Sequence, residues 1–177
     1  QANRKYTAYS KQAAAEGKPN AAKLFRVAAD AETIHALKEF ELAGRVGSTV
    51  DNLKDAIEGE THEYKSMYPG FVKTAEAEDN RAAQRAFTFA MKAEEVHAKL
   101  YSEALKNIDA EGEVFYYLCP ICGNIELAVP DACPSAVRPA ANSLNTKNKI
   151  SLDKKGGVFQ TLPFDFRGPA DVRIGGV

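Results

Sequence analysis

Glu94 and His97 stand three residues apart in Ala93-Glu94-Glu95-Val96-His97, a pairing of carboxylate and imidazole that can hold a metal ion. They lie in a run with helical spacing, through Phe87, Ala90, Met91, Glu94, His97, Tyr101 and Leu105. Positions recurring every three or four residues share one face of a helix. A carboxylate on an otherwise apolar face must be compensated, because burying it unpaired costs several kcal/mol. A metal held between helices uses both side chains at once. A Glu–His pair at the edge of the stripe is the other reading of this motif alone.

The same spacing recurs. Residues 20–46 carry apolar positions at Leu24, Phe25, Ala28, Ala31 and Leu42, with Glu32-Thr33-Ile34-His35 in the stripe. Residues 52–77 run through Leu53, Ala56, Ile57, Met67, Phe71 and Ala75, and present Glu60 and Glu63 at the same interval. Two Glu-x-x-His helices facing a glutamate helix supply most of a carboxylate-bridged di-iron or di-manganese site in a four-helix bundle. Chance accounts for one such motif far more readily than for three in succession.

A second chemistry follows near the C-terminus. Cys119-Pro120-Ile121-Cys122-Gly123 is a metal-binding knuckle, whose Pro and Gly shape a tight turn with N–H groups facing the sulfurs. A partner knuckle should begin at Cys133-Pro134, but Ser135-Ala136-Val137 follows where a residue, Cys and Gly belong. The chain thus offers three thiolates and no fourth. If the Ser135 codon ends in T, the neighbouring reading frame restores Cys-Gly, so a frameshift after Pro134 is the expectation there.

The elements that must position these residues are mostly helices. Residues 1–16 read as a helix under way, and Pro19-Asn20 marks the turn into a second, from about Asn20 to Ala43, that stops at Gly44. Thr49 or Asp51 is the expected cap of a third helix running to about Ala77, with a kink after Tyr68 imposed by Pro69. A fourth starts near Asp79-Asn80 and reaches about Ile108. The expected fold is an all-α four-helix bundle over 1–108, a linker over 109–115, and a small, incomplete Cys-knuckle domain over 116–138. Residues 139–177, broken by Gly156-Gly157, Pro163, Gly168-Pro169 and Gly175-Gly176, read as an irregular tail, with short strands at 158–159 and 162–166 the exceptions.

Together these stretches resemble rubrerythrin, a ferritin-like di-iron protein with a small rubredoxin-like iron domain. The likeness is carried by Gln1-Ala2-Asn3-Arg4-Lys5-Tyr6, the Glu32–His35 motif, Val46-Gly47-Ser48-Thr49, and Ala56-Ile57-Glu58-Gly59-Glu60-Thr61-His62-Glu63-Tyr64. It continues through Met67-Tyr68-Pro69, the Glu94–His97 motif and Leu118-Cys119-Pro120-Ile121-Cys122-Gly123. The resemblance implies two irons held by Glu32, His35, Glu60, Glu63, Glu94 and His97, and one iron at Cys119, Cys122 and Cys133. Glu63 matches the extra glutamate that sets rubrerythrins apart from simpler ferritin-like sites. The resemblance also implies reduction of hydrogen peroxide to water, with electrons relayed through the rubredoxin-like iron. Their source would be rubredoxin or an NAD(P)H-linked reductase, and the chain would form a homodimer. In the family the first helix supplies a bridging glutamate just upstream of the Gln-Ala-Asn segment. By that alignment it would precede Gln1, so the chain is expected to be a fragment.

Residues around the site carry two readings. Tyr64 and Tyr101 are core aromatics, or donors of a hydrogen bond to a ligand carboxylate. His62, between Glu60 and Glu63 but on another face, is expected at the surface. Composition excludes some classes: 23 Lys and Arg nearly balance 24 Asp and Glu, so charge argues for neither nucleic acid nor an acidic membrane. No apolar run approaches the roughly 20 residues needed to cross a bilayer, and none reads as a signal peptide. Three cysteines, two in Cys-x-x-Cys, suit a reducing compartment, and the cytoplasm is the expected location. Iron oxidation and storage by a ferritin-like bundle, an inactive fragment, and a bundle whose glutamates bind nothing are the alternatives.

Overall fold

The structure, a computed structural model, describes residues 1–128, 130–136, 138–139, 149–152 and 158–159. The chain divides into two compact units, residues 1–52 and residues 53 onward.

The first unit is a hairpin of α1 (Ala2–Ala15) and α2 (Pro19–Leu42). Gly17, at φ +68°, takes the left-handed conformation that ends α1, and the N–H groups of Gly17 and Lys18 return to Ala14 O and Ala13 O. Pro19 then opens α2, where its missing N–H costs nothing. The helices meet through small residues and rings. Ala13 and Ala29 are buried, and Tyr9 stands edge-on to Phe25 at 5.5 Å. Asn3 donates to Ala29 O (2.9 Å) and to Thr33 Oγ1. The stripe α2 buries is therefore Phe25, Ala29 and neighbours, whereas Leu24 and Leu42, expected among its apolar contacts, are exposed. Both lie off the Phe25–Ala29 line that faces α1.

The second helical pair begins with α3 (Thr49–His62). Its cap is Ser48 rather than Thr49 or Asp51: the Asp51 N–H donates to Ser48 Oγ (3.2 Å). Helix α3 runs into a π turn over Glu63–Met67 and then α4 (Tyr68–Ala77). The break expected after Tyr68 thus takes the form of a π turn before it, with the Tyr68 N–H bonded to Glu63 O five residues back. Pro69, lacking an N–H, is accommodated in the first turn of α4. Helix α5 (Arg81–Lys106) follows, its cap Asn80 accepting from the Ala83 N–H at 3.0 Å. Phe71 and Phe87, 5.3 Å apart, and Tyr68 hold α4 against α5.

Beyond α5 the chain forms a small β structure. Strand β1 (Tyr116–Leu118) pairs antiparallel with β2 (Ile125–Glu126), Leu118 opposite Ile125, across the Cys119–Asn124 knuckle. Gly123, at φ +80°, and the bond from the Cys119 N–H to Asn124 O (2.8 Å) close that turn. Strands β3 (Ala132–Cys133) and β4 (Arg138–Pro139) make a second ladder. The tail contributes more than the sequence suggests: β5 (Lys149–Leu152) pairs with β1, and β6 (Val158–Phe159) with β5, giving the order β2-β1-β5-β6. Backbone pairing needs no side-chain period, which is why four residues without a clear pattern can join the sheet. Residues 162–166, where a second strand is expected, lie outside the described residues. The buried centre of this region is Cys119, Cys133 and Ala136, with Phe89 of α5 and Tyr117 packed against it.

Candidate metal centre

Helices α3 and α5 bring Glu60, Glu94 and His97 together, with one ligand atom of each within 4.8 Å of the others. All three are half-buried. His97 Nδ1 lies 2.7 Å from Glu94 Oε2 and 3.7 Å from Glu60 Oε1. Its other nitrogen, Nε2, is 3.0 Å from Gly123 O of the knuckle. With the Nε2 proton donated to that carbonyl, Nδ1 is left to face the two carboxylates as a ligand, and a backbone acceptor fixing the tautomer is a common support of metal-binding histidines.

The electrostatics of the cluster point the same way. Burial, and then the neighbouring Glu94 carboxylate, push Glu60 up to about 7 from the usual carboxylate value of 4.5, against a smaller opposing pull from His97. Two carboxylates facing each other in partial burial cannot both ionise cheaply, so Glu60 keeps a proton where a cation would otherwise sit. Around them, burial and the charges of Glu94, Glu63 and Glu60 raise Tyr68, while burial and the charges of Glu60 and Glu94 raise Tyr101. Tyr101 thus lies in the field of the cluster. Tyr68 does too, although it is not singled out from sequence. Tyr64 is half-buried, with the Lys65 ammonium 5.5 Å from its ring centroid.

The remaining candidates are placed as follows. Glu63 is half-buried at the start of the π turn, one residue after the exposed His62. A π turn offsets the helical register, so Glu63 and Tyr68 are presented differently than a continuous helix would present them. Glu32 is half-buried and His35 exposed on α2, in the first unit.

The three cysteines converge as the second cluster, their sulfurs within 4.8 Å of one another. Cys119 and Cys133 are each 1% exposed, and the Cys122 and Cys133 sulfurs are 3.5 Å apart. The knuckle does what its Pro and Gly suggest. Although burial opposes it, N–H groups of Cys122 and Ile121 aimed at the Cys119 sulfur hold that thiol below its ordinary value. Burial pushes Cys122 up to about 12, with the neighbouring sulfurs adding to the rise.

A family model described as rubrerythrin matches residues 1–105. The chain belongs to the rubrerythrin family. Rubrerythrin-2 of Clostridium acetobutylicum is 36% identical over 139 residues, covering 69% of this chain and 76% of that protein. Nigerythrin of Nitratidesulfovibrio vulgaris is 36% identical over 153 residues, covering 78% and 76%. Among solved structures, nigerythrin in its fully reduced, all-ferrous state superposes with a TM-score of 0.53 at 35% identity, covering 81% of this chain and 78% of that one. The mixed-valence state of nigerythrin superposes with a TM-score of 0.52. The rubrerythrin-family fold class, a ferritin-like helical bundle with a rubredoxin-like knuckle, is thereby established. So is its place among iron-binding oxidoreductases of oxidative stress defence. No helix among the described residues is long and apolar enough to cross a membrane.

Proposed function

We propose that this protein reduces hydrogen peroxide to water at a two-iron centre for which Glu60, Glu94 and His97 are ligands and Glu63 a further one; that Glu32 and His35 are ligands too is proposed on the family resemblance alone. The observation that carries this reading is His97, whose Nε2 is taken by Gly123 O while Nδ1 is aimed at two carboxylates. The donors are carboxylate oxygens and an imidazole nitrogen, a set suited to iron and manganese. The proton held on Glu60 occupies the place of positive charge that a metal would supply. Bound iron would supply the two electrons that cleave an O–O bond.

The chain's own residues supply the protons and the setting. Turning one peroxide into two waters consumes two protons. Glu60 carries a proton only while the site is free of metal, because a ligand carboxylate must release it. Tyr68 and Tyr101, kept as neutral phenols by burial and the nearby carboxylates, can donate a hydrogen bond toward them without adding charge. A largely apolar, partly open cavity of about 260 Å³ lined by His97, Leu53, Leu100, Tyr101, Tyr116 and Ile125 gives a small uncharged substrate an approach to His97.

Rubredoxin or an NAD(P)H-linked reductase is the proposed electron donor, and a homodimer the proposed assembly. Val27, Ile34 and Leu37 of α2 are exposed and give a second copy an apolar surface to cover. A rubredoxin-type iron does not fit the cysteines as they stand: Ala136 holds the fourth corner, so no electron step is assigned to that centre.

The test is iron content and peroxide consumption with a supplied reductant, in the parent and in Glu94→Ala. About two irons per chain and turnover in the parent, both lost in the variant, are expected. Turnover that survives Glu94→Ala would overturn the assignment.

A further inference from the structure

The cysteine cluster is more than an unfinished four-thiolate site. Ala136 follows Cys133 by three residues, as Cys122 follows Cys119, and so occupies the position of a fourth ligand. It is not turned away: at 4% exposure it packs with Cys119 and Cys133 in one buried cluster, and its N–H donates to Cys133 Sγ at 3.5 Å. The fourth position carries a methyl group and no sulfur.

We propose that Cys119, Cys122 and Cys133 form a three-coordinate site for a trivalent thiophilic metalloid of the arsenite class. The donors are three soft sulfurs already drawn together, two of them buried. Ions that prefer four ligands in a tetrahedron need a donor where the methyl stands. A trivalent arsenic centre needs only three bonds and directs its lone pair to the fourth side, which an apolar neighbour tolerates.

Charge separates the candidates further. Three thiolates around a univalent ion carry a net charge of −2, around a divalent ion −1, and around trivalent arsenic none. The side chains packed on the cluster, Ala136, Phe89 and Tyr117, are apolar; the compensation at hand for thiolate charge is the backbone N–H groups aimed at Cys119 and the Arg85 guanidinium, which lines the cleft beside Cys122. The neutral complex is the one that needs none of that compensation. Cys122 borders an open cleft lined by Arg85, Ala86, Phe89, Ala90 and Ile121, through which uncharged arsenous acid can enter.

The binding step balances without a redox partner. Three As–S bonds form and three As–O bonds break. Each departing hydroxide takes the proton of one thiol, so three waters leave and no atom changes oxidation state.

The experiment is a titration of the reduced full chain with sodium arsenite, following As–S absorption in the near ultraviolet and the thiols still open to alkylation. One arsenic per chain with all three thiols protected is expected. Cys133→Ser should weaken binding by at least about tenfold, a change of roughly 1.4 kcal/mol, with helical circular dichroism unchanged. Ala136→Cys should shift the preference to iron, read as thiolate-to-iron bands on ferric loading. Protection of only Cys119 and Cys122 would mean ordinary dithiol capture by a Cys-x-x-Cys and would overturn the proposal. So would equimolar zinc displacing the arsenic from the parent chain. Neither result depends on a variant that must fold.

Discussion

Removing the Glu60 carboxylate should make the metal-free protein more stable and leave it unable to hold iron. In the metal-free fold Glu60 is raised from 4.5 to about 7 by burial and by Glu94. The native state therefore prefers the protonated form. Below pH 4.5 both folded and unfolded chains carry the proton, and the group contributes nothing. As pH rises from 4.5 toward 7 the unfolded chain releases it first, so stability falls across that window and is level above it. At about 1.4 kcal/mol per pH unit the full shift is worth up to about 3 kcal/mol, which solvent screening of a half-buried group reduces to about 1–2 kcal/mol. Glu60→Gln keeps the shape and removes the titration. Thermal unfolding in the presence of a chelator should show the variant melting about 2–8 °C above the parent at pH 8, with the two converging near pH 4.5. With iron added the order should reverse, because only the parent gains binding free energy. The parent's own iron affinity should weaken below pH 7, where metal must displace the Glu60 proton. A parent whose metal-free stability is flat from pH 4.5 to 7, or a variant no more stable than it at pH 8, would refute this account of the cluster.

Two further outcomes test how the site is held. Tyr68→Phe removes a phenol lying in the field of Glu94, Glu63 and Glu60; peroxide turnover should fall several-fold with iron content unchanged, measured as initial rate per bound iron. Asn80→Ala removes the side chain that accepts from the Ala83 N–H at the start of α5. Urea unfolding should register a loss of about 1 kcal/mol, with iron content unchanged because Glu94 and His97 lie several turns further along the helix.

The helices were legible because their apolar positions repeat every three or four residues, and the start of α5 near Asp79-Asn80 was legible too. Glu94 and His97 were legible for the same reason: two ligand types at i and i+3 on an apolar stripe of α5. What fixes His97 was not. Its Nε2 meets Gly123 O twenty-six residues away, a contact no local pattern encodes. Tyr68 reads from sequence as a core aromatic more than a turn beyond Glu63, whereas the π turn over Glu63–Met67 bonds its N–H to Glu63 O. Pro69 signalled that a break was needed but not that it would be absorbed one turn earlier. Leu24 was misread for the opposite reason, since its type says core while Phe25 and Ala29 take the line that meets α1. The knuckle is the instructive case. Sequence spacing alone identifies Ala136 as the fourth position, yet only burial shows that its methyl packs inside the cluster rather than turning to solvent. An open corner would invite water or a borrowed ligand and leave a weak iron site. A methyl packed against two buried sulfurs instead selects for ions content with three bonds, so one missing thiol changes which chemistry the centre can hold.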